Sequence, residues 1–276
     1  MKKLRFLTAA ACALILCGTQ AEAAASAKPV KPSKEVEQSV GESNGYKFKV
    51  GTGFDYSSGN YGSASNTEIW YVPVTGKVER DNWTLKLTIP WLSITGPGAV
   101  VGGGGTGVTR APAVVTTTES GLGDMVGSLG YSLELPNAFF VDVTGKIKFP
   151  TGDFNKGLGT GEADYTGLID ITKQIGIVSL FAGGGYKITG TNSTLNLHNV
   201  PLANVGAGID ATPQLNLGTS YDWRESASGR DNPSESTFYA NYKLTKQINV
   251  QGYGVVGYSD GSPDYGIGLM LGYKFQ

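Results

Sequence analysis

The sequence predicts an all-β fold: a transmembrane antiparallel β-barrel of about 12 strands, with short turns at one end and long loops at the other. Three observations carry that expectation. From Gly45 onward, segments about ten residues long alternate apolar and polar side chains. Charged residues avoid the middle of every apolar face. Long and short connections alternate along the whole chain.

The segments fall at 45–57, 68–79, 82–93, 123–134, 139–149, 163–173, 176–188, 202–211, 214–225, 236–245, 248–258 and 264–275. Each is near the roughly 9–11 residues that a tilted strand needs to cross a bilayer. In the first, Tyr46, Phe48, Val50, Thr52, Phe54 and Tyr56 form one face, against Lys47, Lys49 and Asp55. The third sets Trp83, Leu85, Leu87, Ile89 and Trp91 against Thr84, Lys86 and Thr88. The fifth sets Phe139, Val141, Val143, Ile147 and Phe149 against Asp142, Thr144, Lys146 and Lys148. Side chains alternate with period two, so each list shares one face of its strand.

On the apolar faces the only charges are Glu68 and Lys173, both at segment ends. A Lys or Arg facing lipid at the midplane costs about 2–4 kcal/mol, which accounts for the avoidance. Aromatic residues bracket the same faces (Tyr46 and Tyr56, Trp83 and Trp91, Phe139 and Phe149), as interfacial girdles require. A lipocalin-like soluble barrel would reverse the pattern, apolar inside and polar outside. Mean hydropathy is only −0.11, as expected when half of each strand faces a polar lumen. Past the N-terminus no apolar run approaches the roughly 18 residues of a spanning helix. Net charge is −1, so no basic surface points to nucleic acid.

The connections 80–81, 135–138, 174–175, 212–213 and 246–247 are short, and 58–67, 94–122, 150–162, 189–201 and 226–235 are long. Bacterial outer-membrane barrels have this asymmetry, with turns in the periplasm and loops outside. The expected partners are therefore outer-membrane lipid, the barrel-assembly machinery and small-molecule solutes. The last segment ends with Tyr273 and Phe275 in the lipid phase. That resembles the C-terminal signal of outer-membrane proteins, although Gln276 follows the Phe.

Residues 1–23 read as a signal peptide. Lys2, Lys3 and Arg5 precede an apolar stretch from Phe6 to Cys17, and Ala21-Glu22-Ala23 offers a cleavage site. Leu16 is not the small residue that lipidation of Cys17 would need. Both cysteines, Cys12 and Cys17, lie in this segment, so rigidity of the remainder must come from backbone pairing. Residues 24–44, rich in Ala, Lys, Pro, Ser and Glu, read as a flexible periplasmic leader before a barrel domain at 45–276.

Twelve charged residues on the polar faces are the candidate pore lining: Lys47, Lys49, Lys86, Asp124, Asp142, Lys146, Asp164, Asp170, Asp210, Asp222, Arg224 and Lys243. With both signs present, weak charge selectivity is expected. No catalytic, cofactor or metal site is expected. His198, the only histidine, sits in a loop and cannot build a multi-His metal site. An outer-membrane phospholipase needs its Ser and His close together on lipid-facing strand positions, and His198 has no such partner in the pattern. Gly102 to Gly105 lacks the Lys-Ser/Thr and the strand–helix context of a phosphate cradle.

Two stretches resemble the meta-pathway-of-phenol-degradation family of outer-membrane channel proteins. They are Ser120-Gly-Leu-Gly-Asp124 and Lys148-Phe-Pro-Thr-Gly-Asp-Phe-Asn-Lys-Gly-Leu-Gly-Thr-Gly-Glu-Ala-Asp-Tyr165. The resemblance implies a barrel that passes small molecules, aromatic or hydrophobic ones among them. Read physically, Pro150, Gly152 and Asp153 end a strand and shape a turn. The expected function is thus a passive uptake channel, with the long 94–122 loop as candidate gate and its flanks Ala99–Val101 and Val114–Thr118 as a candidate extra hairpin. The alternative is a structural or surface-binding barrel whose lumen is plugged by residues such as Phe181, Tyr239 and Tyr253.

Overall fold

The computed structural model describes residues 45–61, 63, 65–97, 100–103, 106–109 and 116–275. The expected signal peptide (1–23) and the leader (24–44) lie outside them, as do parts of the proposed extra hairpin. The strands are β1 (Tyr46–Gly59), β2 (Thr67–Arg80), β3 (Trp83–Gly96), β4 (Val100–Gly103), β5 (Thr106–Thr109), β6 (Thr117–Leu122), β7 (Met125–Leu135) and β8 (Phe139–Phe149). They continue with β9 (Asp164–Ile175), β10 (Val178–Ile188), β11 (Val200–Asp210), β12 (Leu215–Arg224), β13 (Ser234–Lys243), β14 (Ile248–Gly257) and β15 (Tyr265–Lys274).

Each barrel strand pairs antiparallel with its sequence neighbours, and β1 pairs with β15 to close the ring. β6 and β7 both pair with β3 and together make one wall strand, giving the twelve expected. Closure follows from the solvent: no unpaired backbone group can face hydrocarbon. The two short strands β4 and β5 form a separate hairpin within the connection after β3. That hairpin pairs Val101 with Val108, whereas the sequence reading paired the Ala99 flank with Val114–Thr118. Thr117 and Thr118 of the latter flank instead extend the wall, Thr95 facing Thr118 and Gly96 facing Thr117. The connection expected at 94–122 is therefore shorter, running from 97 to 116.

The joint between β6 and β7 is a β-bulge. Trp91 faces Leu122 and Thr88 faces Val126, so Ile89 and Pro90 stand opposite Gly123, Asp124 and Met125. Pro90 has no N–H to offer the ladder, but its carbonyl accepts from Gly123 N at 2.9 Å. The extra residue inverts the side-chain phase. Above it Glu119 and Gly121 face the inward residues Ile94 and Leu92; below it Val126 and Ser128 face the inward Thr88 and Lys86. Pro90 also faces Pro73 on β2.

The outward faces are apolar through their middles, with Leu85, Leu129, Ile169, Phe238 and Ile267 all at least half exposed. Aromatic rings gather at both rims. At the loop end Tyr56 lies 4.9 Å from Trp70 and 6.2 Å from Tyr265. At the turn end Trp83 lies 4.7 Å from Tyr131, and Tyr273 lies 5.0 Å from Phe275. Lys173, the outward charge at a strand end, places its Nζ 4.2 Å from the centre of the Phe139 ring and donates to the Asn137 carbonyl. The turns there are tight. Asp81 and Asn137 take positive φ, and Thr212 and Thr245 each accept two backbone N–H bonds that fold the chain back.

Candidate functional site

The lumen is where this chain concentrates its buried polar chemistry. Eleven of the twelve candidate residues occupy the inward register of their strands, and Asp124 stands buried in the bulge between β6 and β7. They do not form one site. Toward the turn end, Glu79 accepts from Lys49 at 2.9 Å and from Lys77 at 2.8 Å, while Lys47 stays exposed and Asp210 accepts from Asn216 Nδ2 at 2.9 Å. Lys243 lies half-buried on the inward register of β13 near the same end. At mid-wall Lys86 and Lys146 both face Ser128 across their ladders. Asp142 faces Asp170, with Ser132 donating to the first and Asn204 Nδ2 to the second at 3.2 Å. Ser220 donates to Asp222 at 2.8 Å, and Arg224 reaches Glu235 at 3.9 Å.

The densest cluster lies at the loop end, around Asp124. This carboxylate takes Lys148 Nζ at 2.9 Å on one oxygen, and its two oxygens accept the backbone N–H groups of Gly152 and Thr160 at 2.9 and 3.2 Å. Lys148 donates further to Thr160 Oγ1 and lies 3.4 Å from Asp164, which in turn lies 3.7 Å from Lys187 and accepts from Gly190 N at 3.0 Å. Asp124 is thus the anchor of the 150–163 connection. Desolvating such charges is costly, and the pairing together with backbone donors offsets that cost.

So anchored, the connection turns into the barrel. Asp153 folds it, accepting from Asn155 N at 2.9 Å through its side chain and from Leu158 N at 2.9 Å through its carbonyl. The expected turn is present, and it delivers Leu158 to the interior, where it is 1% exposed. Leu158 joins an apolar cluster that spans the lumen: Tyr71, Leu92, Ile94, Phe181, Tyr239, Tyr253, Val255 and Met270. Among the described residues, the 150–163 connection thus enters the lumen core; much of the 94–122 connection, the candidate gate of the sequence reading, lies outside the described residues. Above the mouth, Leu195 and Leu197 pack with Phe154 and Ala227, tying three loops together. His198 lies in this outer layer, half-exposed, its Nε2 3.6 Å from Glu225 Oε1.

A closed ring of strands, apolar outside and polar within, is stable only in a bilayer, and a signature of this kind belongs to one compartment. The chain is an outer-membrane β-barrel. An outer membrane channel from Pseudomonas putida F1 has a similar crystal structure, with a TM-score of 0.62 at 13% identity over 89% of this chain and 100% of that one. The toluene transporter TbuX from Ralstonia pickettii aligns with a TM-score of 0.44 at 11% identity, over 86% of this chain and 90% of that one. OmpF from Salmonella typhi aligns with a TM-score of 0.41 at 11% identity, over 83% and 97%. No family model and no curated protein matches the chain.

Several lumen residues of this barrel escape a reading by pattern. Leu158 lies in a connection, so no periodicity points to it. Glu235, fully buried, precedes the segment expected at 236–245 because β13 begins two residues earlier. Leu92, Ile94, Val255 and Met270 sit buried at inward positions, beside the large inward residues Phe181, Tyr239 and Tyr253 that the sequence reading had named. Strict alternation through β3, β14 and β15 does carry the signal for these four.

Proposed function

We propose that the barrel is a channel for passive uptake of small molecules, with aromatic or otherwise hydrophobic solutes as the class that fits best. The observation supporting this is the division of the lumen into two walls. On β8, β9 and β12 the mid-wall inward residues include Asp142, Lys146, Asp170 and Asp222. On β14 no inward residue is charged, and on β13 and β15 the charges stand only at the ends, leaving Tyr239, Tyr253, Val255 and Met270 between. A water-filled pore for ions gains nothing from such an apolar wall. A small hydrophobic solute gains contact area there while the opposite wall stays hydrated.

In this reading the twelve charged residues line the path, and their mixed signs leave little preference between cations and anions over a Debye length of about 8–10 Å. Passage requires Leu158 and the flexible Met270 to swing aside, with the Asp124 anchor as hinge. The likeness of the 120–124 and 148–165 stretches to the phenol-degradation channel family supports the same solute class. Removal of 1–23 and a periplasmic leader at 24–44 belong to the proposal.

The burial of Phe181, Tyr239 and Tyr253 favours one second reading, a structural or surface-binding barrel with a plugged lumen. Uptake by vesicles separates the two. Barrels reconstituted into liposomes should admit small aromatic solutes and give small, weakly selective steps in a planar bilayer. Inserted barrels that give no steps and admit neither sugars nor aromatics would overturn the channel and leave the plugged barrel.

A further inference from the structure

Two rows of opposite charge climb the lumen wall side by side. The first is basic. Along the hydrogen-bonding direction of the sheet, Lys49 of β1 faces Lys77 of β2 and Lys77 faces Lys86 of β3. Ser128 of β7 links Lys86 to Lys146 of β8, and Thr166 of β9 links Lys146 to Lys187 of β10. The second row is acidic. Asp142 of β8 faces Asp170 of β9, and Gly183 of β10 links Asp170 to Asn204 of β11. Asn204 faces Asp222 of β12, which faces Glu235 of β13. The shear of the sheet carries both rows from the turn end, at Lys49 and Asp142, to the loop end, at Lys187 and Glu235.

Where the rows overlap they stay four residues apart, as Asp142 and Lys146 do on β8, or about 13 Å at the rise of a strand. Between them Thr144, Leu168, Gly185 and Leu202 form an uncharged strip, which Arg224 continues toward the loop end. Glu79 tempers the basic row at its turn end and Asp164 at its loop end, so Lys86 and Lys146 hold its middle. The middle of the acidic row is a run of acceptors. Asn204 Nδ2 donates to Asp170, while Asn204 Oδ1 is buried with no hydrogen-bond partner. Buried acceptors are nearly always satisfied, so this stretch calls for a donor, and the carboxylates on either side call for a cationic one.

We infer that the paired rows are a track for small zwitterions, the ammonium following the acidic row past Asp170, Asn204 and Asp222 and the carboxylate following the lysine row. A solute with one charge is attracted by one row and repelled by the other, whereas a zwitterion gains from both. The track rests on the channel reading. It adds a second solute class, taken by the polar wall, to the class proposed for the apolar one.

Swelling rates of liposomes holding the barrel test the track, with four peptides of one length as probes. Triglycine is a zwitterion, N-acetyltriglycine an anion, triglycine amide a cation, and N-acetyltriglycine amide neutral. In wild type the zwitterion should enter about three- to tenfold faster than the neutral peptide, as two hydrated charge contacts allow, and faster than either singly charged one. Lys86→Gln with Lys146→Gln should bring the ratio of zwitterion to neutral peptide close to one, and so should Asp170→Asn with Asp222→Asn. The first pair should leave the cation ahead of the anion, and the second the reverse. Heat-modifiable migration on gels reads assembly; either pair serves alone if the other fails to assemble, and the wild-type order decides if both fail. A neutral peptide as fast as the zwitterion in wild type, or a zwitterion advantage that survives the substitutions, would overturn the track and keep the channel. Exclusion of all four peptides while small aromatic solutes enter does the same. If no solute of either class enters, channel and track fall together.

Discussion

Tyr253 of β14 reaches across β15 to β1, where its hydroxyl donates to Asp55 Oδ2 at 2.8 Å while its ring covers Gly268. The bond joins three strands at the closing seam and stands in a desolvated interior, Asp55 being 2% exposed. Tyr253→Phe should therefore cost about 1.5–3 kcal/mol, the range for a bond to a charged acceptor. Gly268→Ala should cost about 1–3 kcal/mol for a different reason, since the new methyl meets the ring. Guanidinium unfolding of the reconstituted barrel measures both. Combined losses smaller than their sum would show that they act on one contact.

Asp124→Ala removes the partner of Lys148 and the acceptor of two loop amides. Breaking a buried pair in this way costs about 3–5 kcal/mol, and most of it should be felt locally in 150–163. The amides of Gly152 and Thr160 should exchange faster by hydrogen-exchange mass spectrometry, and added protease should cut near Lys156. Unchanged exchange there would show that the loop is held by Leu158 packing alone.

Leu129 faces lipid, while Ser128 faces both Lys86 and Lys146 in the lumen. Leu129→Arg should impair assembly by about 2–4 kcal/mol. Ser128→Glu should be tolerated, because the new carboxylate meets two ammonium groups. The amount of heat-resistant barrel recovered from membranes compares the two, and equal recovery would reverse the assigned phase of β7.

Deleting Gly123 removes the extra residue of the bulge and obliges β6 or β7 to change phase. With β7 held by its long pairing to β8, β6 should yield, turning Glu119 outward and Leu122 inward. A thiol placed at position 122 should then lose reactivity toward a lipid-soluble maleimide. Continued labelling would mean that the wall absorbs the deletion elsewhere.

The wall is legible in the sequence because lipid enforces it residue by residue. An inward Asp142 between outward Val141 and Val143 admits one phase only, and the expected and observed bounds of that strand, 139–149, coincide. The bulge is not legible, since Gly123-Asp124 reads as the start of a strand and the single inserted residue shows only against β3. Leu158 is not legible either. Its burial depends on Asp124, whose partners Gly152 and Thr160 are backbone groups that any residue type would supply. Charge placement marks the polar wall of the lumen well, but the apolar wall opposite is built from Tyr, Met and Val, which only the alternation of their strands, and not their residue type, assigns to the lumen.

Nearly every pairing in the ring joins strands adjacent in sequence, and one does not: Lys49 to Lys274 along the β1–β15 seam. Hairpins can form one after another at little entropic cost, whereas the seam must bring together opposite ends of the whole sheet. Until it does, β1 and β15 are open edges that can template pairing with other chains. The last kinetic step of folding is thus also the one that ends the danger of aggregation, and slowing it should lengthen the exposure of both edges without changing any other contact in the wall.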